Sequence, residues 1–150
     1  MSEAAAPRSA VVAIGATHRQ LTVGQLRQLR AATAEVSARI ADRDEFTGYV
    51  NVSTCNRFEI YVESVAPGPA IHRLLALIGE TIDDDDTDLL RLLEVYDERA
   101  TVEHLFAVAS GLNSMLVGEN EVLGQVRDAF RNASDHAGPA LFRLFEAALA

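Results

Sequence analysis

The chain has 150 residues, 49% of them hydrophobic and 23% charged, which is enough to bury a core in one domain or two small subdomains. A formal net charge of -9 excludes a protein that wraps nucleic acid by broad phosphate neutralisation, so any such contact must be local. The single cysteine excludes an internal disulfide and a cysteine-built zinc cage, and points to a reducing compartment rather than a secreted scaffold.

The opening "MSEAAAPRSAVVAIGA" matches neither a secretory signal nor a membrane span, and residues 1–9 read as a flexible tail. "AVVAIGA" from Ala10 is a short apolar run closed by glycine, which predicts a buried central strand. From Thr22 to Ala41 the leucines, Val36 and Ile40 recur at helical spacing, with Thr22 as the cap. Phe46, Tyr49, Val50 and Val52 then alternate with polar residues, as do Phe58, Ile60 and Val62 against Arg57, Glu59, Tyr61 and Glu63. Two strands therefore meet at Thr54 to Asn56.

Pro69 predicts the start of a second helix that ends near Gly79. The acidic run Asp83 to Asp88 lacks the glycine and distal glutamate of an EF-hand and reads as a solvated loop or helix start. "LLRLLEVYDE" then predicts a short helix followed by a strand at about Leu92 to Tyr96. The order βαββαβ predicts an α+β fold, a ferredoxin-like antiparallel sandwich with two helices on one face, over residues 10–98. From residue 99 to 150 every segment has helical period, which predicts a helical subdomain, and the last apolar stripe stops without a cap, as if cut in mid-helix.

A lone cysteine is most often a packed small hydrophobe. Cys55 departs from that pattern by its place at a strand junction, beside Ser53, Thr54, Asn56 and Arg57, where a guanidinium is able to stabilise a thiolate and to clamp a carboxylate. Among the four histidines, His72 and His136 sit in polar surroundings and are expected at the surface, and His18 follows the first strand. His104, on the helix after the last strand, is either a packed core histidine or a proton-transfer group. "GLNSMLVGENEVLGQ" from Gly111 mixes glycines, small polar residues and carboxylates, which suits either a helix corner or a ligand site.

Together, "STCNRFEIY" (53–61), "AVASGLNSMLVGENEVLGQVRDAF" (107–130) and the weaker "GATHRQLTV" (15–23) resemble the N-terminal catalytic domain of glutamyl-tRNA reductases. These are NADPH-dependent enzymes that open tetrapyrrole (5-aminolevulinate) biosynthesis, and the resemblance runs from Val11 onward. It implies that Cys55 attacks the ester of glutamyl-tRNA to form a thioester, which reduction converts to glutamate-1-semialdehyde. It also implies that His104 assists proton transfer and that Thr54 and Arg57 hold the glutamyl group. Ser114 would contact that group from the helical side, with Asn113, Glu119 and Gln125 as further substrate-binding positions.

By the same resemblance NADPH binds a domain absent from this chain, which has no G-x-G-x-x-G after a strand. No metal is implied. The expected partners are the acceptor end of glutamyl-tRNA, glutamate-1-semialdehyde aminomutase for the full-length enzyme, and a second copy through regions outside this chain. The expected setting is cytoplasmic, with no membrane. Three departures bear on substrate identity: "THRQLT" lacks the proline of the family's turn, Asn113 replaces an aspartate, and "GENE" at 118–121 is altered. They leave two alternatives, a non-catalytic tRNA- or partner-binding remnant and a module acting on another aminoacyl-tRNA.

Overall fold

A computed structural model describes residues 9–82, 88–111 and 120–150. The tail and most of the acidic run expected from the sequence fall outside these residues.

β1 (Ala10–Thr17) and β3 (Arg57–Ser64) are the central strands, flanked by β2 (Gly48–Ser53) and β4 (Glu94–Tyr96) in the order β2-β3-β1-β4. Every pairing is antiparallel, and the register places Ala10 opposite Ser64 and Thr17 opposite Arg57. α1 (Val23–Ala41) connects β1 to β2, and α2 (Pro67–Thr81) with the short α3 (Asp88–Arg91) connects β3 to β4. This is the split βαβ arrangement that the element order predicts.

The helix starts follow local chemistry. Thr22 accepts a hydrogen bond from the Gln25 amide while the Gln25 side chain accepts from the Thr22 amide, a reciprocal capping box. α2 starts at Pro67, two residues before the predicted Pro69, because both prolines lie in a first turn whose amides have no intrahelical partner. It also runs past Gly79 to Thr81. A Cβ at Gly79 would stand 3.0 Å from Leu90, so this glycine makes room for α3 rather than ending α2.

Alternation along each strand sorts side chains onto two faces. Val12, Ile14, Ala16, Phe58, Ile60 and Val62 pack with Leu29, Val36, Leu74 and Ile78 of α1 and α2. The opposite face is covered too. α4 (Glu98–Ala109), α5 (Asn120–Ala133) and α6 (Pro139–Leu149) bury Val11, Ala13, Val50, Val52 and Tyr61 against Leu105, Val126, Leu141 and Phe145. Phe145 meets Tyr61 edge-on at 5.3 Å and stacks with Phe130 at 5.3 Å, which anchors α6 to the sheet.

The consequence for β3 is large. Its polar row lies under α4 and α6 instead of facing water: Arg57 is 3% exposed, Glu59 2%, Tyr61 0% and Glu63 1%. Each buried charge therefore needs partners. The Glu63 carboxylate accepts from the amides of Ala140 (2.6 Å) and Leu141 (3.0 Å) and from the Thr47 hydroxyl (2.8 Å), so it caps α6 from the sheet. Gly138, at φ 78°, carries the chain into α6 so closely that a Cβ would stand 2.8 Å from Glu63 Oε2 and from the Thr47 carbonyl. Glu63→Ala is expected to cost about 3 kcal/mol or more, since it orphans buried amides from a charged acceptor. Glu63→Gln, which keeps the acceptor and loses the charge, should cost about half as much, and urea denaturation of the two variants measures the difference.

Burial, and then the neighbouring Glu59 carboxylate, holds the Tyr61 phenol well above its usual range. An acid whose folded value is raised contributes its full stability below the unfolded value near 10 and loses it as pH climbs beyond that point. Stability is expected to fall by about 1.4 kcal/mol per pH unit above ~10 from this group alone. Denaturant midpoints should show a shallower alkaline slope in Tyr61→Phe than in wild type, the remainder coming from Tyr96, whose phenol is also raised by burial and its hydrogen bond to Glu94.

Candidate functional site

The β2–β3 connection is a tight turn of three residues. The Thr54 amide donates to the Arg57 carbonyl at 2.8 Å, and the Asn56 amide donates to the Thr54 hydroxyl at 3.1 Å. The His18 amide, just beyond β1, donates to the Asn56 carbonyl at 2.9 Å. Thr54 is buried, so the turn is held from inside and from the neighbouring strand, and it presents Cys55 exposed at its tip. A thiol mounted on a rigid hairpin and open to solvent is accessible to a substrate in a way that a core cysteine is not.

Two clefts open at that thiol. The larger, about 510 Å³, runs along the β2 edge of the sheet between α1 and α5, and is lined by Asn51, Thr54, Cys55, Arg30, Gln125 and Asp128 among others. Asn51 lines this cleft, and its side-chain nitrogen is buried with no hydrogen-bond partner among the described residues. The smaller cleft, about 150 Å³, lies against the first two turns of α1 and is lined by Val23, Leu26, Arg27, Arg30, Thr54 and Cys55.

Two residues after the thiol the chain turns under α4. There the Glu59 carboxylate accepts from Tyr61 (3.0 Å), pairs with Arg57 (3.4 Å) and makes a short contact to His104 Nε2. The His104 ring stacks on Tyr96 at 4.2 Å, so a carboxylate and an aromatic face together fix its orientation. Gly15 lies opposite Glu59 on β1, and a Cβ there would stand 2.9 Å from Glu59 Cγ, so the glycine leaves space for the carboxylate. A histidine oriented by a buried carboxylate is able to transfer protons, and the same contacts equally satisfy a packed core histidine.

The predicted site residues thus form two groups. Cys55, Thr54 and Gln125 share the larger cleft, whereas Arg57 and His104 meet at Glu59, and neither of the last two lines the clefts at the thiol. Asn113, Ser114 and Glu119 lie outside the described residues. His72 and His136 are exposed, the latter stacked on Tyr49. His18 Nδ1 is buried without a partner among the described residues.

Sequence reasoning misses Glu59, Arg30 and Asp128. Glu59 reads as one member of a solvent-facing alternation, and only the covering of that face by α4 makes it a buried pivot. Arg30 and Asp128 lie on helices far apart in sequence, with no local signal tying either to the thiol. Among the described residues no three His, Cys, Asp or Glu side chains are grouped to hold a metal, and no helix is long and apolar enough to cross a membrane.

Residues 14–150 match the family model for the N-terminal domain of glutamyl-tRNAGlu reductase. Proteins named glutamyl-tRNA reductase from Rubrobacter xylanophilus (39% identical) and Salinispora arenicola (35%) align over 93% of this chain, and over 33% and 32% of their own lengths. A solved glutamyl-tRNA reductase from Methanopyrus kandleri superposes with a TM-score of 0.69 at 32% identity, covering 93% of this chain and 32% of that one. The chain therefore spans about a third of the length of the relatives it matches. On the fold, the motif-bearing hairpin and these alignments together, the chain belongs to the glutamyl-tRNA reductase family and corresponds to its N-terminal domain.

Proposed function

We propose that this chain carries out the acyl-transfer half of a glutamyl-tRNA reductase reaction, with Cys55 as nucleophile. The observation that carries the reading is the thiol's placement at the tip of a braced hairpin, where two clefts meet, within a motif that resembles the family's S-T-C-N-R. An ester has an acyl side and an alcohol side, and a nucleophile between two clefts addresses both.

The Cys55 thiolate attacks the ester carbonyl, a carbon–sulfur bond forms, and the carbon–oxygen bond to the terminal ribose breaks. The departing ribose oxygen takes up a proton and leaves as the tRNA hydroxyl. Thr54, Gln125 and Asn51 line the cleft that receives the glutamyl group. His104 exchanges protons through Nδ1, because Nε2 is committed to Glu59. Arg57, Asn113, Ser114 and Glu119 complete the substrate site by resemblance to the family.

An NADPH site does not fit the described residues. The sheet is wholly antiparallel, so it has no parallel switch-point crevice, and no glycine fingerprint opens a helix after a strand. The reading assigns hydride supply to a nicotinamide dinucleotide held outside these 150 residues, and contacts with the aminomutase and a second copy to the longer enzyme in the cytoplasm.

The direct test is to incubate the chain with glutamyl-tRNA and digest it for mass spectrometry. The expected product is a hydroxylamine-labile glutamyl adduct on the peptide containing Cys55. Recovery of intact glutamyl-tRNA with an unmodified, alkylatable Cys55 would overturn the nucleophile reading in favour of a binding module. An adduct formed equally well from other charged tRNAs would move the assignment to a module of different amino-acid specificity.

A further inference from the structure

The cationic side chains that share a cleft with the thiol are not the one the motif supplies. Arg27 and Arg30 stand three residues apart on the exposed face of α1; both line the smaller cleft at Cys55, and Arg30 stands between it and the larger one. Among the other arginines of this acidic chain, Arg39 pairs with Glu35 and Glu80, Arg73 with Glu45, Arg99 with Glu103 and Arg57 with Glu59, whereas Arg19, Arg43, Arg127, Arg131 and Arg143 have no ion pair among the described residues and line neither cleft at the thiol. Neither Arg27 nor Arg30 has an ion-pair partner among the described residues. Two unpaired guanidiniums side by side, in a chain of formal charge -9, concentrate positive potential at one place.

Resting on the acyl-transfer reading above, we propose that Arg27 and Arg30 grip the phosphodiester backbone of the RNA 3′ end, so that the smaller cleft takes the terminal ribose-phosphate and the larger cleft the amino acid. The pairing chemistry, the charge of Asp128 and the cleft sizes support this direction. Guanidinium forks match phosphate oxygens in pairs. Asp128, on the wall of the larger cleft, repels phosphate and suits the ammonium of an aminoacyl group. A volume of about 150 Å³ accepts a ribose-phosphate at its mouth, whereas the roomier and more polar cleft is the one able to surround an amino-acid side chain. The first turns of α1 add the positive end of the helix dipole to the same cleft. The broad acidity of the chain is compatible with RNA binding because the attraction is confined to this one place.

The test titrates glutamyl-tRNA onto the Cys55→Ser chain, in which the ester is not consumed, over a series of KCl concentrations. The double variant Arg27→Gln/Arg30→Gln should raise Kd by roughly 10-fold or more and flatten the slope of log Kd against log salt by about 1.4, or about 0.7 for each phosphate that is no longer neutralised. Arg27→Lys/Arg30→Lys should keep the slope while losing part of the affinity, because charge is retained and the fork is not. Arg39→Gln/Arg73→Gln, which removes two arginines remote from the clefts, should leave both quantities unchanged. An unaltered salt slope in the Arg27/Arg30 double variant, or an equal loss in the Arg39/Arg73 control, would overturn the proposal. These outcomes are separable from failure of the nucleophile reading: a missing Cys55 adduct with an Arg-dependent slope sinks only that reading, and an adduct with an Arg-independent slope sinks only this one.

Discussion

Cys55→Ser is expected to abolish the hydroxylamine-labile glutamyl adduct, lowering the single-turnover acylation rate by at least about 10⁴-fold, because removal of a covalent nucleophile deletes the route itself. The thermal midpoint should stay where it is. Cys55 is exposed at the hairpin tip, its turn is held by the Thr54 and Asn56 amides and the Thr54 hydroxyl, and a sulfur-to-oxygen change removes no core packing. If Cys55 were instead a structural thiol, Cys55→Ser would lower the midpoint and leave the fate of the tRNA ester unchanged. Retention of the adduct in Cys55→Ser, on any other residue, would show that a different side chain attacks. Single-turnover mixing with labelled glutamyl-tRNA, followed by acid quench, distinguishes these results.

Glu59→Leu is expected to lower the unfolding free energy by roughly 3–5 kcal/mol, the cost of breaking a buried ion pair from one side. The loss arises because the buried carboxylate serves three partners at once: Arg57 at 3.4 Å, the Tyr61 hydroxyl at 3.0 Å and His104 Nε2. Glu59→Gln retains the acceptor geometry and should cost less, about 1–3 kcal/mol. The two variants also separate stability from chemistry. If His104 moves protons and Glu59 orients it, Glu59→Gln should slow turnover of the thioester by about 100-fold, close to the effect of His104→Ala, while the adduct still forms. A packed histidine without a chemical role predicts instead that activity per folded molecule stays normal and only the urea midpoint moves. Measuring adduct formation, adduct decay and the denaturation midpoint on the same preparations decides between them.

The sequence signals are strong where backbone chemistry is local. Thr22 caps α1 because a hydroxyl and Gln25 three residues later satisfy each other's amides, and that requires nothing from the rest of the chain. The apolar alternations of β1, β2 and β3 and the element order βαββαβ likewise follow from neighbours in sequence, and the sheet order agrees with them. The helix ends are less legible. Sequence reasoning starts α2 two residues late, because a first turn tolerates proline at Pro67 as well as at Pro69, and it places the end near Gly79 correctly to within two residues, although that glycine is set by its contact with Leu90 rather than by its own conformation.

Contiguous residues are enough to specify the family resemblance, the sandwich and the turn that carries Cys55. The fate of the polar row Arg57, Glu59, Tyr61 and Glu63 depends instead on long-range packing. A period of two says that these side chains share a face, but it does not say whether that face meets water or other helices. The helices α4 to α6, drawn onto the sheet by Leu105, Val126, Leu141 and Phe145, bury the row. The charges then pair with residues up to 78 positions away, Glu63 with the start of α6 and Glu59 with His104. The same packing brings α1 and α5 to either side of the β2 edge, and so places Arg30 and Asp128 beside a thiol that no local pattern connects to them.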